Sequence, residues 1–504
     1  MECVNYVLQY VDSSVLTLLV PRLVDVIKGN PSIVSRGAAA HVVTTLTHQC
    51  PLDLQAFTGK LLSAFLTCLS DRNPAVRICY AGCIGHLMRT AKDSSKEKLF
   101  NKLRSWYMEK EDEASRAAVA FTFQAVNRHN PDVMKAYASS AMPIAFLAMH
   151  QEKTGTTGEV LEVWEEVWLD GTPGSEGGIR LYQAEIMELL PTALSSSQWS
   201  VKAQAARAIG TVATKLGPTI QPPVQKQLID LLLAGLDGRT WAGKECLLRS
   251  LADIATSGPD LMAANVKEEV DKLVEVLLRE CRKEKLEYKI IALESTGIIF
   301  NELKLDRFKA LYEMLAVHLP NTDEENKENG NEDMDDKETS QKQIELQYGI
   351  LVCFGLAWPC TAETAEAYLE KVVDHLESLA QGTTRKNQLA IVKCLGNVLK
   401  SWKNPMESSS ELDKEKIFSK IAKIISTLLL IPKYAQLRTD TLQVLSQAVN
   451  LLKDSKSSEL VNLFQDEISK SLDGVIKDLG SDPNTKTTAR DLKSALNNLA
   501  GEKN

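Results

Sequence analysis

Cys79, Cys83 and His86 stand at positions i, i+4 and i+7 of one helical stretch and so share a face. Two thiolates and an imidazole placed this way could supply part of a zinc site. The same spacing is the apolar stripe of an amphipathic helix, and no fourth ligand accompanies them, so core packing is the expected role. The Gly-rich stretch 171–178 (GTPGSEGG) precedes a helix, as phosphate-binding loops do. It lacks the Lys and Ser/Thr that follow the glycines of a Walker loop, and no strand is predicted before it. It reads as a long turn between helices. Residues 325–336 (ENKENGNEDMDD) put Gly330 where a calcium loop has its glycine, but Glu325 and Lys327 occupy places that need Asp or Asn. Lys327-Glu328-Asn329 also spells a short degradation-signal tripeptide, which a segment of this composition yields by chance. There is no G-x-S-x-G elbow, no H-E-x-x-H pair and no paired C-x-x-C. The sequence therefore predicts no catalytic residue, no metal site and no cofactor.

One stretch breaks the rules of helix stability: Gly238-Arg239-Thr240-Trp241-Ala242-Gly243-Lys244-Glu245. Two glycines and a Trp are poor choices for the start of a helix. Two readings stay open. Arg239, Trp241 and Lys244 could form an exposed patch that anchors a partner, since Trp and Arg are typical interface hot spots. Alternatively, Trp241 caps the core between neighbouring units and Arg239 bonds carbonyls.

The elements that would hold these residues recur at a period near forty. Each period pairs an apolar helix with a second helix that opens on a basic residue: Arg36, Arg77, Arg116, Lys202, Lys244, Lys289, Lys386 and Arg438. Helix pairs at this period predict an all-α HEAT or armadillo-like α-solenoid, here of about eleven pairs. In such a fold each unit buries its apolar face only against its neighbours, which makes an extended binding surface. The pattern places helices at 14–28 and 33–48, 55–69 and 75–91, 96–108 and 115–129, 132–149, 179–195 and 199–216. It continues with 223–236 and 241–256, 266–282 and 286–303, 306–319 and 341–357. The last pairs are 362–380 with 385–402, 412–429 with 435–452, and 458–478 with 485–499. In the turn SDRNP, Asp71, Asn73 and Pro74 are turn and helix-start residues. Asp71 there can accept second-helix N–H groups, and Arg77 can pair with acidic groups of adjacent turns, so the basic markers need no ligand.

The chain has 504 residues and a net charge of −8. Nine acidic residues against two Lys put −7 of it in 323–338. The predicted organisation is a solenoid over 1–320, an acidic disordered insertion over 321–341, which has too few apolar residues to offset the entropy of ordering, and the solenoid continued over 342–504. A second polar linker is expected at 403–411. The remainder is near neutral, which argues against a nucleic-acid partner. Ten scattered Cys, no secretory pattern at the N-terminus and no apolar run of membrane-spanning length lead us to expect a protein of a reducing compartment without direct membrane insertion.

Several segments, in order, resemble the family of large HEAT-repeat proteasome adaptor and scaffold proteins: LSDRNPAVR (69–77), RTAKDSSKEKL (89–99), YMEKEDE (107–113), PDVMKAYASSAMPIAFLAMH (131–150), PGSEGGIRLY (173–182) and GRTWAGKE (238–245). The resemblance runs over most of residues 1–400 and is weaker beyond. It implies a non-enzymatic adaptor that bridges the regulatory and core particles of the 26S proteasome. It further implies a protein of cytoplasm and nucleus, with endosomal, endoplasmic reticulum, centrosomal and motor-protein partners. It carries over no catalytic residue. Family members are much longer, so it implies a C-terminal portion of such a protein. The alternatives are a karyopherin-like HEAT-repeat transport receptor and a microtubule-binding or other HEAT-repeat scaffold. The first would need cargo and small-GTPase contacts. The second would show basic turns along one edge, whereas SDRNP, LDGR and KEDE are mixed in sign.

Overall fold

A computed structural model of the chain describes residues 6–29, 32–153, 158–320, 334–402, 413–431, 434–455, 457–478 and 480–501. Among these residues the structure is helical, with no strand. Residues 321–333 of the expected acidic insertion, the tripeptide 327–329 and the whole linker 403–411 lie outside them. The chain is already helical at Met334, seven residues before the expected helix start.

Several helices begin where short polar side chains take up the N–H groups that a first turn leaves unpaired. Asn73 Oδ1 accepts from Ala75 N at 2.9 Å and Val76 N at 3.4 Å. Asp112 Oδ1 accepts from Ser115 N at 2.7 Å. Two expected helices are interrupted by tyrosines. Tyr137 (φ −111°, ψ 16°) separates Pro131–Ala136 from Ala138–Ala148; its ring stacks on Phe100 at 4.7 Å and its hydroxyl donates to Asp93 O at 3.2 Å. Tyr182 (φ −110°, ψ 22°) likewise separates Ser175–Leu181 from Gln183–Leu194. Aromatic packing against the helix Asp93–Glu109 outweighs helical continuity at Tyr137.

The helices form two compact units, one of residues 1–219 with 241–250 and one of residues 220–240 with 251–504. In the first, Ser13–Lys28 packs on Pro51–Cys68, while Ile33–Gln49, Pro74–Leu87 and Glu113–His129 form a second row. Edge-to-face aromatics join the helices: Phe65 and Tyr80 meet at 5.0 Å between the rows, and Phe123 meets Trp164 of Gly158–Gly171 at 5.9 Å. In the second unit, Leu286–Glu302, Met334–Leu356, Arg385–Ser401 and Ala435–Ser455 pack successively in one row. Ala362–Ala380, Lys414–Leu430 and Ser458–Lys477 do so in the other. Within the first row the approach is close: a Cβ added at Gly355 would lie 2.9 Å from Cys394 Cα.

The basic markers tie one helix pair to the next. Arg36 donates to Asp71 in the following turn, both side chains being nearly buried. Arg438 donates to Asp478 and, at 2.8 Å, to Ser481 Oγ. Arg116 donates to Gln198 and lies 5.6 Å from the Tyr107 ring centre. Arg77 differs from expectation. It donates to the Asp71 and Arg72 carbonyls at 2.8 and 3.1 Å, because the Asp71 carboxylate is already taken by Arg36 and Asn73 N.

Two predictions follow from this packing. Gly355→Ala should destabilise the second unit by about 1–3 kcal/mol, since backbone must shift to admit the methyl group. Gly82→Ala, also in a helix but with nothing within 4 Å of its added Cβ, should stabilise by up to about 1 kcal/mol; urea denaturation of both variants checks the contrast. The second concerns His150, which is sealed between Phe146 O (2.7 Å from Nδ1) and Thr211 Oγ1 (2.8 Å from Nε2). Burial lowers its pKa from 6.5 to about 4. Between those values the unfolded chain binds the proton more tightly, so stability should fall as pH drops through this window, by about 2 kcal/mol at pH 5 from this residue. His86 acts in the same direction. Melting curves at pH 7 and pH 5 should show the loss, and His150→Gln should make the pH dependence shallower.

Candidate partner-binding surface

The helix Trp199–Leu216 opens without a side-chain cap, because Gln198 is used elsewhere: it accepts from Arg116, and its Nε2 donates to Glu109 O at 3.0 Å. Trp199, the first helical residue, is left half exposed at 50%. The turn Trp241–Lys244 lies against this helix. Gly243 adopts φ +99°, and a Cβ there would sit 2.8 Å from Ala203 Cβ. Only glycine combines that dihedral with that approach. The helix expected from 241 therefore starts at Glu245, and Ser250 Oγ anchors it by donating to Ala206 O at 2.7 Å.

This turn stacks Trp241 on Trp199 with ring centres 5.4 Å apart and planes at 15°. Lys202 Nζ lies 5.0 Å from the Trp199 ring centre and 6.0 Å from that of Trp241. The group is an aromatic pair bearing an ammonium on its faces, a cation–π arrangement. It offers a flat, rigid apolar surface with one positive charge.

The three residues singled out from the sequence do not share one role. Trp241 is part of the stack and partly exposed. Arg239 is exposed in the preceding turn, which is held by Arg279, bonded to Asp237 at 3.1 Å and Leu236 O at 3.1 Å, and by Lys283, which donates to Gly238 O at 3.2 Å. Lys244 has no exposed surface, which corrects the expectation of an exposed Arg/Trp/Lys patch: the closing turn folds this side chain inward. Trp199 and Lys202 take its place at the surface. A signal for them exists in the chain, since W-x-x-K occurs at 199–202 and again at 241–244, one repeat period apart. Equivalent positions of neighbouring helix pairs are neighbours in space.

The Cys79, Cys83 and His86 face carries packing. Cys83 is fully buried, and burial pushes its thiol pKa well up. His86 instead joins a column of imidazoles, 3.2 Å from His48 between ring nitrogens and stacked on His129 at 3.7 Å. Its pKa falls to about 4, first through burial and then through His129 and His48. Among the described residues no group of three His, Cys, Asp or Glu side chains is placed to hold a metal ion.

Stacked helix pairs, linked by basic side chains and presenting an aromatic surface, define an all-α HEAT/ARM-type solenoid. The fold is shared with a crystal structure of importin beta, at TM-score 0.53 and 14% identity over 99% of this chain and 59% of that one. Two family models match by sequence, the HEAT-repeat domain of proteasome adapter and scaffold protein ECM29 over residues 1–108 and the ECM29 C-terminal ARM-like repeats over 262–498. The human proteasome adapter and scaffold protein ECM29 is 35% identical over 99% of this chain and 27% of its own length. The Drosophila melanogaster proteasome-associated protein ECM29 homolog is 32% identical over 78% of this chain and 21% of its own. The chain belongs to the ECM29 family and spans about a quarter of the length of these relatives.

Burial separates the two cations of the stretch 238–245, Lys244 being enclosed and Arg239 exposed. Lys244→Ala should lower the melting midpoint clearly, by the cost of emptying a fully buried site. Arg239→Ala should change stability by less than about 0.5 kcal/mol, as for an exposed position. Differential scanning calorimetry of the two variants checks this.

Proposed function

We propose that this chain is a non-enzymatic adaptor segment that binds the 26S proteasome and helps hold its regulatory and core particles together. The observation that carries this reading is the similarity, along 99% of the chain, to a human protein named a proteasome adapter and scaffold. The Trp199–Trp241 stack with Lys202 supplies the contact chemistry. Trp side chains desolvate a large area at small entropic cost, and such residues dominate interface energies. The reading extends to a cytoplasmic and nuclear protein that links proteasomes to endosomes, endoplasmic reticulum and motor proteins through other surfaces of the solenoid. A transport-receptor role has only the likeness in fold behind it.

Chemical cross-linking of the chain to purified 26S proteasomes should place it on regulatory- and core-particle subunits. Trp199→Ala/Trp241→Ala should reduce recovery at least about tenfold, the loss of roughly 1.4 kcal/mol or more of binding, with the helical circular dichroism unchanged. A folded chain that yields no cross-link to any proteasome subunit would overturn the proposal.

A further inference from the structure

The helix Arg385–Ser401 carries Lys386, Lys393 and Lys400 at intervals of seven residues, all exposed. Seven helical residues rise about 10.5 Å, so the row lies along one face and spans about 21 Å. It borders a groove of about 550 Å³ whose other walls include Ile298, Tyr348, Val352, Gln443 and Gln447. A second cavity of about 510 Å³ shares Asn397 and Lys400 with it and adds Lys304 and Trp358. All of these residues belong to the second compact unit.

The groove is positive in a chain that is negative as a whole. Four lysines line the two cavities against the two carboxylates of Glu294 and Asp440. Lys386 is 4.0 Å from the Tyr348 ring centre. Among the described residues Lys304, Lys393 and Lys400 enter no ion pair.

We propose that this groove binds an acidic peptide segment of a partner protein in polyproline II conformation, with carboxylates at every third residue. A polyproline II segment has three residues per turn and advances about 3.1 Å per residue, so side chains three apart share a face about 9.3 Å apart, close to the lysine spacing. Glu294 and Asp440 penalise acidic ligands of the wrong spacing, because like charges brought together oppose binding. The assignment rests on the second unit alone and is independent of the proteasome reading.

The test is fluorescence anisotropy at physiological salt with the full chain. The probe is a dye-labelled Gly/Ser peptide carrying three Glu at positions i, i+3 and i+6. It should bind saturably, and at least tenfold more tightly than its isomer with three consecutive Glu. Lys393→Glu/Lys400→Glu should weaken binding at least tenfold, with unchanged circular dichroism. Lys272→Glu, an exposed lysine elsewhere in the unit, should have no effect. Equal binding of the two peptides, full retention by the double variant, or equally tight binding of a single-stranded oligonucleotide at the same lysines would each overturn the assignment.

Discussion

Where Gly355 faces Cys394, the second helices of successive pairs lie too close for one additional methyl group. That contact fixes how closely Met334–Leu356 and Arg385–Ser401 approach. Each helix pair has an apolar face that only its neighbours can cover, so stability accumulates from neighbour to neighbour rather than around one centre. Small residues at the contact bring the helices together. Once together, side chains one period apart become partners: Arg36 with Asp71, Arg438 with Asp478, Trp199 with Trp241.

The basic residue that opens each second helix shows how one repeat position acquires different duties. In Arg36 and Arg438 it bonds the following turn, where partial burial makes the partner necessary. In Lys244 it is enclosed entirely. In Lys202 it rests on two indole faces, and in Lys386 on the Tyr348 ring at the edge of a groove. Position in the repeat delivers a cation to the same place each time. What surrounds that place decides whether it holds the stack together or faces solvent. The two surfaces argued to bind partners both arise where an aromatic ring, rather than a carboxylate, meets the marker.

Much of the architecture could be read from residue types alone. The turn SDRNP announces its helix through Asn73 and Pro74, and both act as expected. The breaks at Tyr137 and Tyr182 were not legible, because nothing in local propensity marks them; Tyr137 stacks on Phe100, thirty-seven residues away. For the candidate surface, the anomaly at 238–245 was visible, and its glycines do mark a turn of positive φ. Its membership was not, since Trp199 and Lys202 lie a full period earlier in the chain.

The amino-acid sequence by itself determined the helices, their period and the recurrence of a cation at each second-helix start. Caps, prolines and apolar spacing act within a few residues and need no knowledge of the fold. It also determined the family, since the matching segments are properties of order and identity. Only the tertiary structure decided that Lys244 turns inward while Lys202 stays out, and that two tryptophans forty-two residues apart share a stacked face. The same holds for the three lysines, which the packing of four helices sets along one groove. Burial and pairing across a period depend on how closely neighbouring helices approach, and that distance is set by residues far along the chain.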